Sequence, residues 1–353
     1  MNWAIILLGV VVLVVGFVLL VKGADWFVDG AAGVAAKARI PQLVIGLTVV
    51  AFGTSAPELA TSIVSAAQGD VGIAIGNVVG SNITNILLIL GLSALFSVLP
   101  VQKDTLKIDF PVLLGASALL ILFGQTGGVI LRWEGAVMVV CLIAYTALLI
   151  FNALRQRKRQ AACDGLENHE VIVEADGENA ETAEDGEKPQ NKFSAWYEKM
   201  KERGWFLAVI TVVGLGVVVG GAMLAVEGAT MVAEELKIPQ KVIGLTIVAI
   251  GTSLPELITS VVAAKKGETD IAVGNIIGSN IFNILMVSGV SAVILPLPFV
   301  SDGSSFLIDS CIALGAAALL AVLGYLRGNK IKRWGGIVML LGFVAYYVYL
   351  FVA

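Results

Sequence analysis

Long apolar runs separated by short polar stretches make up most of this chain of 353 residues. A helix of about 20 apolar residues can cross a hydrocarbon core roughly 30 Å thick. Only 14% of the residues are charged, whereas a soluble domain averages about 25%. The pattern therefore predicts an all-α integral membrane protein with ten spans, at Ala4–Val21 (extending toward Asp29), Leu43–Ala67, Val71–Val98, Ile108–Phe123, Trp133–Leu154, Trp205–Val226, Val242–Ala264, Ile271–Leu295, Phe306–Leu326 and Trp334–Phe351.

One polar insert, Arg155–Arg203, separates the first five spans from the last five. Its segment Asp164–Glu187 has ten acidic residues and no Lys or Arg, a composition typical of disordered linkers. A regulatory cation-binding strip is the alternative, although the ligand pattern of an EF-hand is missing. We therefore expect three parts: residues 1–154 as a first five-helix repeat, 155–203 as the insert, and 204–353 as a second five-helix repeat.

The distribution of basic residues predicts the orientation, because cytoplasmic loops are enriched in Lys and Arg. With the insert in the cytoplasm and both termini outside, the other cytoplasmic segments hold 11 Lys and Arg. The outside segments then hold only Arg132, Lys237 and Lys241. We expect a multi-pass protein of the inner (plasma) membrane, whose first apolar run is a span and not a signal peptide.

A polar phrase lies inside the second and seventh spans and occurs twice, 198 residues apart. Gly46 begins GLTVVAFGTSAPELATS, and Gly244 begins GLTIVAIGTSLPELITS. Pro57 has no amide hydrogen and Gly53 weakens a helix, so the first copy predicts a helix break between Ala51 and Pro57. The second copy predicts the same break in the seventh span.

A second phrase follows at the same offset. Gly76 begins GNVVGSNITNILL, and Gly274 begins GNIIGSNIFNILM. We expect the third and eighth spans to be broken helices too. Small and polar residues in membrane helices often serve only close packing, and this is the alternative interpretation for the glycines and for single Ser or Asn residues.

The two glutamates of the first phrase, Glu58 and Glu256, indicate a cation site. A charged side chain deep in a membrane is costly, and a helix break frees carbonyls that need another partner. A cation, or protons on the glutamates, would relieve this cost. The surrounding hydroxyl, amide and carbonyl groups are oxygen ligands, which favours Na⁺ or Ca²⁺ over Zn²⁺ or Cu²⁺. The single histidine lies in the insert and the three cysteines are far apart, so a transition-metal site is disfavoured.

Five crossings separate the second span from the seventh, so the two copies have opposite orientations. This is an inverted-repeat arrangement, in which the substrate site lies near the midplane between the repeats.

These phrases resemble the α-repeats of the sodium/calcium exchangers, within the cation/calcium antiporter superfamily, and the ten-span layout extends the resemblance to nearly the whole chain. The resemblance implies that Glu58 and Glu256 bind Ca²⁺ or Na⁺ in turn. It further implies hydroxyl ligands for Na⁺ from Thr54, Ser55, Ser81, Thr252, Ser253 and Ser279. The carbonyls of Ala51 and Ala249 would complete these sites, and the amides of Asn85 and Asn283 would line the centre.

The resemblance also narrows the expected coupling ion. Proton-coupled members typically carry a Glu-His pair where this chain has Gly80-Ser81 and Gly278-Ser279. Potassium-dependent members carry Asp at the position of Asn283. We therefore expect an antiporter that exchanges three Na⁺ for one Ca²⁺, electrogenic and independent of K⁺, and not an enzyme.

Two rival functions remain open from the sequence, a proton/calcium exchanger that uses the same glutamates and a passive cation channel. The expected partners are Na⁺ and Ca²⁺ as substrates and the lipid bilayer. Neither a cofactor, nucleic acid nor an obligate protein partner is implied.

Overall fold

The computed structural model describes residues 2–68, 71–170, 200, 203–237, 249–301, 304–326 and 328–352. Helices dominate these residues. In chain order they are α1 (Trp3–Ala38), α2 (Gln42–Thr54), α3 (Ala56–Gln68), α4 (Val71–Ile83, continued by Thr84–Leu90 and Gly91–Phe96), α5 (Thr105–Gln125), α6 (Arg132–Glu170), α7 (Gly204–Glu235), α8 (Ala249–Thr252), α9 (Leu254–Lys265), α10 (Thr269–Phe282, continued by Asn283–Ser288 and Gly289–Ile294), α11 (Leu307–Tyr325) and α12 (Arg333–Val352).

Eight helices in the described part of the chain are long and apolar enough to cross a membrane, and the bent pair α2 and α3 forms a ninth candidate span. The predicted seventh span, Val242–Ala264, lies partly outside the described residues. The chain is therefore a multi-pass helical membrane protein.

Both helix breaks predicted from the first phrase are present. The axis bends by 42° between α2 and α3, where Ser55 leaves the helical conformation with φ −83° and ψ 1°. Ser253 takes nearly the same conformation, φ −91° and ψ 3°, between α8 and α9. The prolines that follow each serine have no amide hydrogen to continue the helical hydrogen bonds.

The prediction that the third and eighth spans are broken was wrong. Both α4 and α10 run without interruption, with a π-helical segment in each, at Thr84–Leu90 and Asn283–Ser288. The second phrase contains no proline, so every residue keeps its amide donor. The wider π-helical turn absorbs the local irregularity without ending the helix.

Two predicted span boundaries also differ from the structure. Helix α1 is a single helix of 36 residues, longer than the predicted first span. Helix α6 continues past the predicted end of the fifth span at Leu154 to Glu170, so the first part of the insert is helical. Residues 171–199 of the insert lie outside the described residues.

Helices α1 and α7 pack closely and run antiparallel. A Cβ atom on Gly9 would contact Val232, and one on Gly30 would contact Thr211, so one helix ascends where the other descends. Glycines at the contact bring the backbones together, as is usual for close helix pairs in membranes: Gly9, Gly16, Gly23, Gly30, Gly214, Gly221 and Gly228.

Short antiparallel strand pairs connect the two halves of the chain. Strand β1 (Leu99–Pro100) pairs with Lys330–Ile331, and β2 (Val129–Ile130) pairs with Leu297–Pro298. In each pair the segment that follows a central helix of one half meets the segment before the last helix of the other half. A third, local pair joins Val300–Ser301 to Ser304–Ser305.

Helices α4 and α10 form the centre of the molecule. Every side chain of α10 from Ile271 to Val287 is buried. The polar residues of both phrases lie in this buried centre, and the exposed apolar side chains lie mainly on the outer helices α1, α6, α7 and α12.

Candidate cation-binding site

The two glutamates of the first phrase are completely buried at the helix breaks. Glu58 follows Ser55 by three residues and Glu256 follows Ser253 by three, and both side chains are 0% exposed. Ser55 Oγ donates a hydrogen bond to Glu256 Oε1 over 3.3 Å. Ser55, at the break that precedes Glu58, therefore contacts the glutamate of the other half.

Further hydroxyl contacts join the first half to the second. Ser253 Oγ lies 3.5 Å from Ser81 Oγ, and Thr54 Oγ1 lies 3.5 Å from Ser279 Oγ. Each contact pairs a hydroxyl from a helix break with a hydroxyl on the central helix of the opposite half. The structure thus brings six of the predicted site residues into three pairs that join the halves of the chain.

The carboxylates have few hydrogen-bond partners within the described residues. Both carboxylate oxygens of Glu58 and Oε2 of Glu256 have none. Buried polar groups are normally hydrogen-bonded, and an ionised carboxylate without a partner is especially costly. These oxygens are therefore available for a cation or a proton.

The predicted central amides, Asn85 and Asn283, are also buried and 0% exposed. Neither the oxygen nor the nitrogen of either side chain meets a partner in the described part of the chain. Both residues lie at the start of a π-helical segment, a local geometry that is frequent at functional sites.

The remaining predicted ligands include the backbone carbonyls of Ala51 and Ala249. The Ala51 carbonyl accepts from Ser55 N over 3.0 Å and lies 3.4 Å from Thr54 Oγ1. In the second copy Ser253 N donates instead to the carbonyl of Ile250 over 3.1 Å. Ala249 begins the described part of α8.

The first asparagine of the second phrase is a site residue that sequence reasoning missed. Asn77 Nδ2 donates to Ser62 Oγ over 3.0 Å, and its Oδ1 lies 3.5 Å from Thr252 Oγ1. Asn275 makes the equivalent contacts with Ser260 and with Thr54, described below. The signal was available, because Asn77 and Asn275 are also 198 residues apart.

Glycines bring the broken helix against the central helix. A Cβ atom on Gly274 would lie 2.8 Å from the Leu43 carbonyl and 3.0 Å from Gly46 Cα. One on Gly278 would lie 2.6 Å from Ala51 Cβ. Packing is therefore the evident role of Gly46, Gly274 and Gly278, and it sets the distance between Thr54 and α10.

The chemistry of the group is that of hard oxygen ligands. No cluster of three or more His, Cys, Asp or Glu side chains suited to a metal occurs in the described ranges. Two carboxylates with hydroxyl and amide oxygens instead match the ligands of Na⁺ and Ca²⁺. A buried site of this kind in a multi-pass helical protein defines a membrane cation transporter.

Comparison with known proteins identifies the family. The family model for sodium/calcium exchanger proteins matches residues 8–151 and 206–352, and the chain belongs to that family. It is 37% identical to the sodium/calcium exchanger MaX1 of Methanosarcina acetivorans, over 96% of this chain and 97% of that protein. It is 35% identical to the inner membrane protein YrbG of Escherichia coli, over 98% and 97% of the two chains.

A solved structure agrees with this assignment. The chain is similar to the sodium-calcium exchanger NCX_Mj soaked with Na⁺ and Sr²⁺, with a TM-score of 0.77 and 32% identity over 97% of this chain and 98% of the other. The protein is therefore a transporter of the antiport type, with Ca²⁺ and Na⁺ as the ions of its family, and it is not an enzyme.

Proposed function

We propose that this protein exchanges Na⁺ for Ca²⁺ across the inner membrane by alternating access, at a site built around Glu58 and Glu256. The observation that carries the proposal is the burial of both glutamates, with three of their four carboxylate oxygens unpartnered among the described residues. Ser55 donates to the fourth oxygen, Glu256 Oε1, and Ser253 contacts Ser81, so hydroxyl groups from both helix breaks take part in contacts between the halves.

We further infer that the chain has ten spans arranged as two inverted five-helix repeats, residues 1–154 and 204–353, joined by a cytoplasmic insert. Three reciprocal features support this arrangement. Helices α1 and α7 are antiparallel, the strand pairs exchange segments between the halves, and Asn77 and Asn275 make equivalent contacts.

Contacts between loops support the proposed ten-span layout, because each contact joins segments that the layout places on the same side of the membrane. In the ten-span layout with both termini outside, Gln102, Asp270, Lys266 and Asp29 all lie toward the cytoplasm. Gln102 Nε2 donates to Asp270 Oδ2 over 2.6 Å, and Lys266 Nζ lies 2.7 Å from Asp29 Oδ1. At the opposite side, the Asn2 amide donates to Glu235 over 2.7 Å, as two outside segments should.

Competition for the same carboxylates explains exchange in this proposal. The Thr54, Ser55, Ser81, Thr252, Ser253 and Ser279 hydroxyls, the Ala51 and Ala249 carbonyls, and the Asn85 and Asn283 amides complete the oxygen shells. Ca²⁺ and Na⁺ draw on the same two glutamates, so each ion displaces the other. Two ionised glutamates without a cation resist occlusion, because like charges repel in a low dielectric.

Residues of the second phrase favour Na⁺ as the coupling ion. The chain has Ser81 and Ser279 as neutral hydroxyl ligands, which suits Na⁺, and Asn283 adds no third acid, which favours independence from K⁺. Exchange of three Na⁺ for one Ca²⁺ moves one net charge, so a membrane potential contributes about 2.3 kcal/mol per 100 mV.

The test is ⁴⁵Ca²⁺ uptake by proteoliposomes loaded with Na⁺. We expect uptake under an outward Na⁺ gradient, stimulation by a positive interior potential, and no requirement for K⁺. Uptake driven by a pH gradient without Na⁺ would instead support a proton/calcium exchanger. Ca²⁺ flux that needs no Na⁺ or H⁺ on the opposite face would indicate a channel.

A further inference from the structure

Asn275 connects the two halves of the site. Its Oδ1 accepts the hydroxyl hydrogen of Thr54 over 3.1 Å, and its Nδ2 donates to Ser260 Oγ over 2.9 Å. Asn275 is 0% exposed. Ser260 lies one helical turn after Glu256 on α9, so the amide joins a ligand of the first half to the helix that carries the glutamate of the second.

A backbone contact of Asn77, the residue equivalent to Asn275, fixes the orientation of both side-chain amides. Asn77 Nδ2 donates to the carbonyl of Glu58 over 3.3 Å, and a carbonyl only accepts hydrogen bonds. The oxygen of Asn77 therefore faces Thr252, at 3.5 Å. The oxygen of Asn275 faces Thr54 in the same way, at a shorter distance.

The position of the Thr54 hydrogen matters for cation binding. A hydroxyl has one hydrogen and two lone pairs. The Thr54 hydroxyl lies 3.4 Å from the Ala51 carbonyl, one of the proposed cation ligands. A hydrogen directed at this carbonyl would occupy an oxygen that a cation needs. The oxygen of Asn275 takes this hydrogen instead, so the Thr54 lone pairs and the Ala51 carbonyl oxygen remain available.

We propose that Asn275 is a positioning residue that sets the Na⁺ affinity by holding the Thr54 hydroxyl hydrogen away from the ligand oxygens, with Asn77 in the same role toward Thr252. The proposal rests on the proposed Na⁺/Ca²⁺ exchange. Neutral hydroxyls form much of a Na⁺ shell, whereas Ca²⁺ gains most from two carboxylates. Replacing Asn275 should therefore weaken the binding of Na⁺ more than the binding of Ca²⁺.

A double-mutant cycle on the reconstituted full-length protein tests this role. Asn275→Ala should raise the half-saturating Na⁺ concentration about tenfold, the effect of one hydrogen bond, and that of Ca²⁺ by less than about threefold. Thr54→Val removes the hydroxyl with little change of shape. In that background Asn275→Ala should add almost nothing, because residues that act through one contact are not additive.

The crossed pair is the matched control. Asn77 contacts Thr252, and among the described side chains it forms no hydrogen bond with Thr54, so Asn77→Ala and Thr54→Val should have additive effects. The proposal would be overturned if Asn275→Ala weakened Na⁺ and Ca²⁺ binding equally. It would also be overturned if Asn77→Ala and Thr54→Val showed the same coupling as Asn275→Ala and Thr54→Val. If Asn275→Ala does not fold, Asn275→Ser, which is too short to reach Thr54, must give the same selective loss.

The failure of this proposal is distinguishable from that of the proposed function. Absence of Na⁺-driven Ca²⁺ exchange in the wild-type protein would refute the function itself, and with it a role for Asn275 in Na⁺ coupling. Normal wild-type exchange without a selective loss in the Asn275 variants would overturn only the positioning role.

Discussion

At the scale of single residues, the site buries two carboxyl groups that contribute little to the stability of the fold. Glu58 has no hydrogen-bond partner for either carboxylate oxygen in the described part of the chain, while Glu256 receives only the hydroxyl of Ser55 at Oε1. Buried carboxylates of this kind cost stability, and such a cost is typical where function and stability compete.

Replacing either glutamate by glutamine should therefore separate transport from stability. We expect Glu58→Gln and Glu256→Gln to lower Ca²⁺ exchange by roughly 100-fold or more, equivalent to about 2.7 kcal/mol, because Ca²⁺ loses one of two charged ligands. In cation-free detergent the thermal midpoint of each variant should equal or exceed that of wild type. Glu235→Gln, at the end of α7, is the matched control and should leave exchange unchanged; wild-type exchange in either site variant would refute the shared-carboxylate mechanism.

The sequence predicted these residues better than it predicted their neighbours. Glu58 and Glu256 stand out because acids are rare in apolar spans, and the repeat marks both. The contacts of Asn275 with Thr54 and of Asn77 with Thr252 join residues 221 and 175 positions apart. No local pattern indicates which amide meets which hydroxyl at such separations, so these partners came only from the structure.

At the scale of helices, proline decides where the chain breaks. The sequence predicted the breaks at Ser55 and Ser253 because Pro57 and Pro255 follow them. It failed for α4 and α10, where the second phrase was expected to break the helix and the π-helical turns keep it continuous. A glycine destabilises a helix by only about 1 kcal/mol. The free energy gained by burying these helices in the centre of the molecule exceeds this cost.

Restoring a donor at the first break should weaken Na⁺ binding. In Pro57→Ala the new amide can donate to the Gly53 carbonyl, so α2 and α3 can straighten and the break loses its geometry. We expect a rise in the half-saturating Na⁺ concentration together with equal or higher thermal stability, since the alanine amide adds a helical hydrogen bond that proline cannot form. Pro111→Ala, in α5, should leave the Na⁺ dependence unchanged, and unchanged Na⁺ dependence in Pro57→Ala would contradict a role for the break.

Two adjacent glycines of α7 should respond in opposite ways to alanine. A Cβ atom on Gly221 would lie 2.6 Å from Leu20 N on α1, whereas one on Gly220 meets no atom of the described residues within 4 Å. Gly221→Ala should destabilise the α1–α7 contact by about 1–3 kcal/mol. Gly220→Ala should be neutral or stabilising. Thermal unfolding of the two purified variants measures the difference, and equal midpoints would show that the close contact is not tight.

At the scale of the whole molecule, the proposed inverted repeat is not perfectly symmetric. Lys266 Nζ, at the end of α9, lies 2.7 Å from Asp29 Oδ1 and 3.3 Å from Asp25 Oδ1, both on α1. The position 198 residues before Lys266 is Gln68, which cannot form an ion pair. This ion pair therefore has no counterpart at the equivalent position, Gln68, of the other repeat.

This asymmetry should bias the two access states if alternating access works by α1 and α7 sliding against the central helices. Sliding separates Lys266 from α1, so Lys266→Gln should lower the population of the arrangement described above. Ion pairs this exposed contribute at most about 1 kcal/mol, which corresponds to a shift of about fivefold. Because one population grows at the expense of the other, apparent Ca²⁺ affinities measured from the two faces should move in opposite directions. Lys265→Gln removes the neighbouring charge, which stacks over Phe96 at 4.5 Å, and should shift neither affinity. A change of the same sign at both faces would mean that Lys266 acts on the site itself and not on the balance between access states.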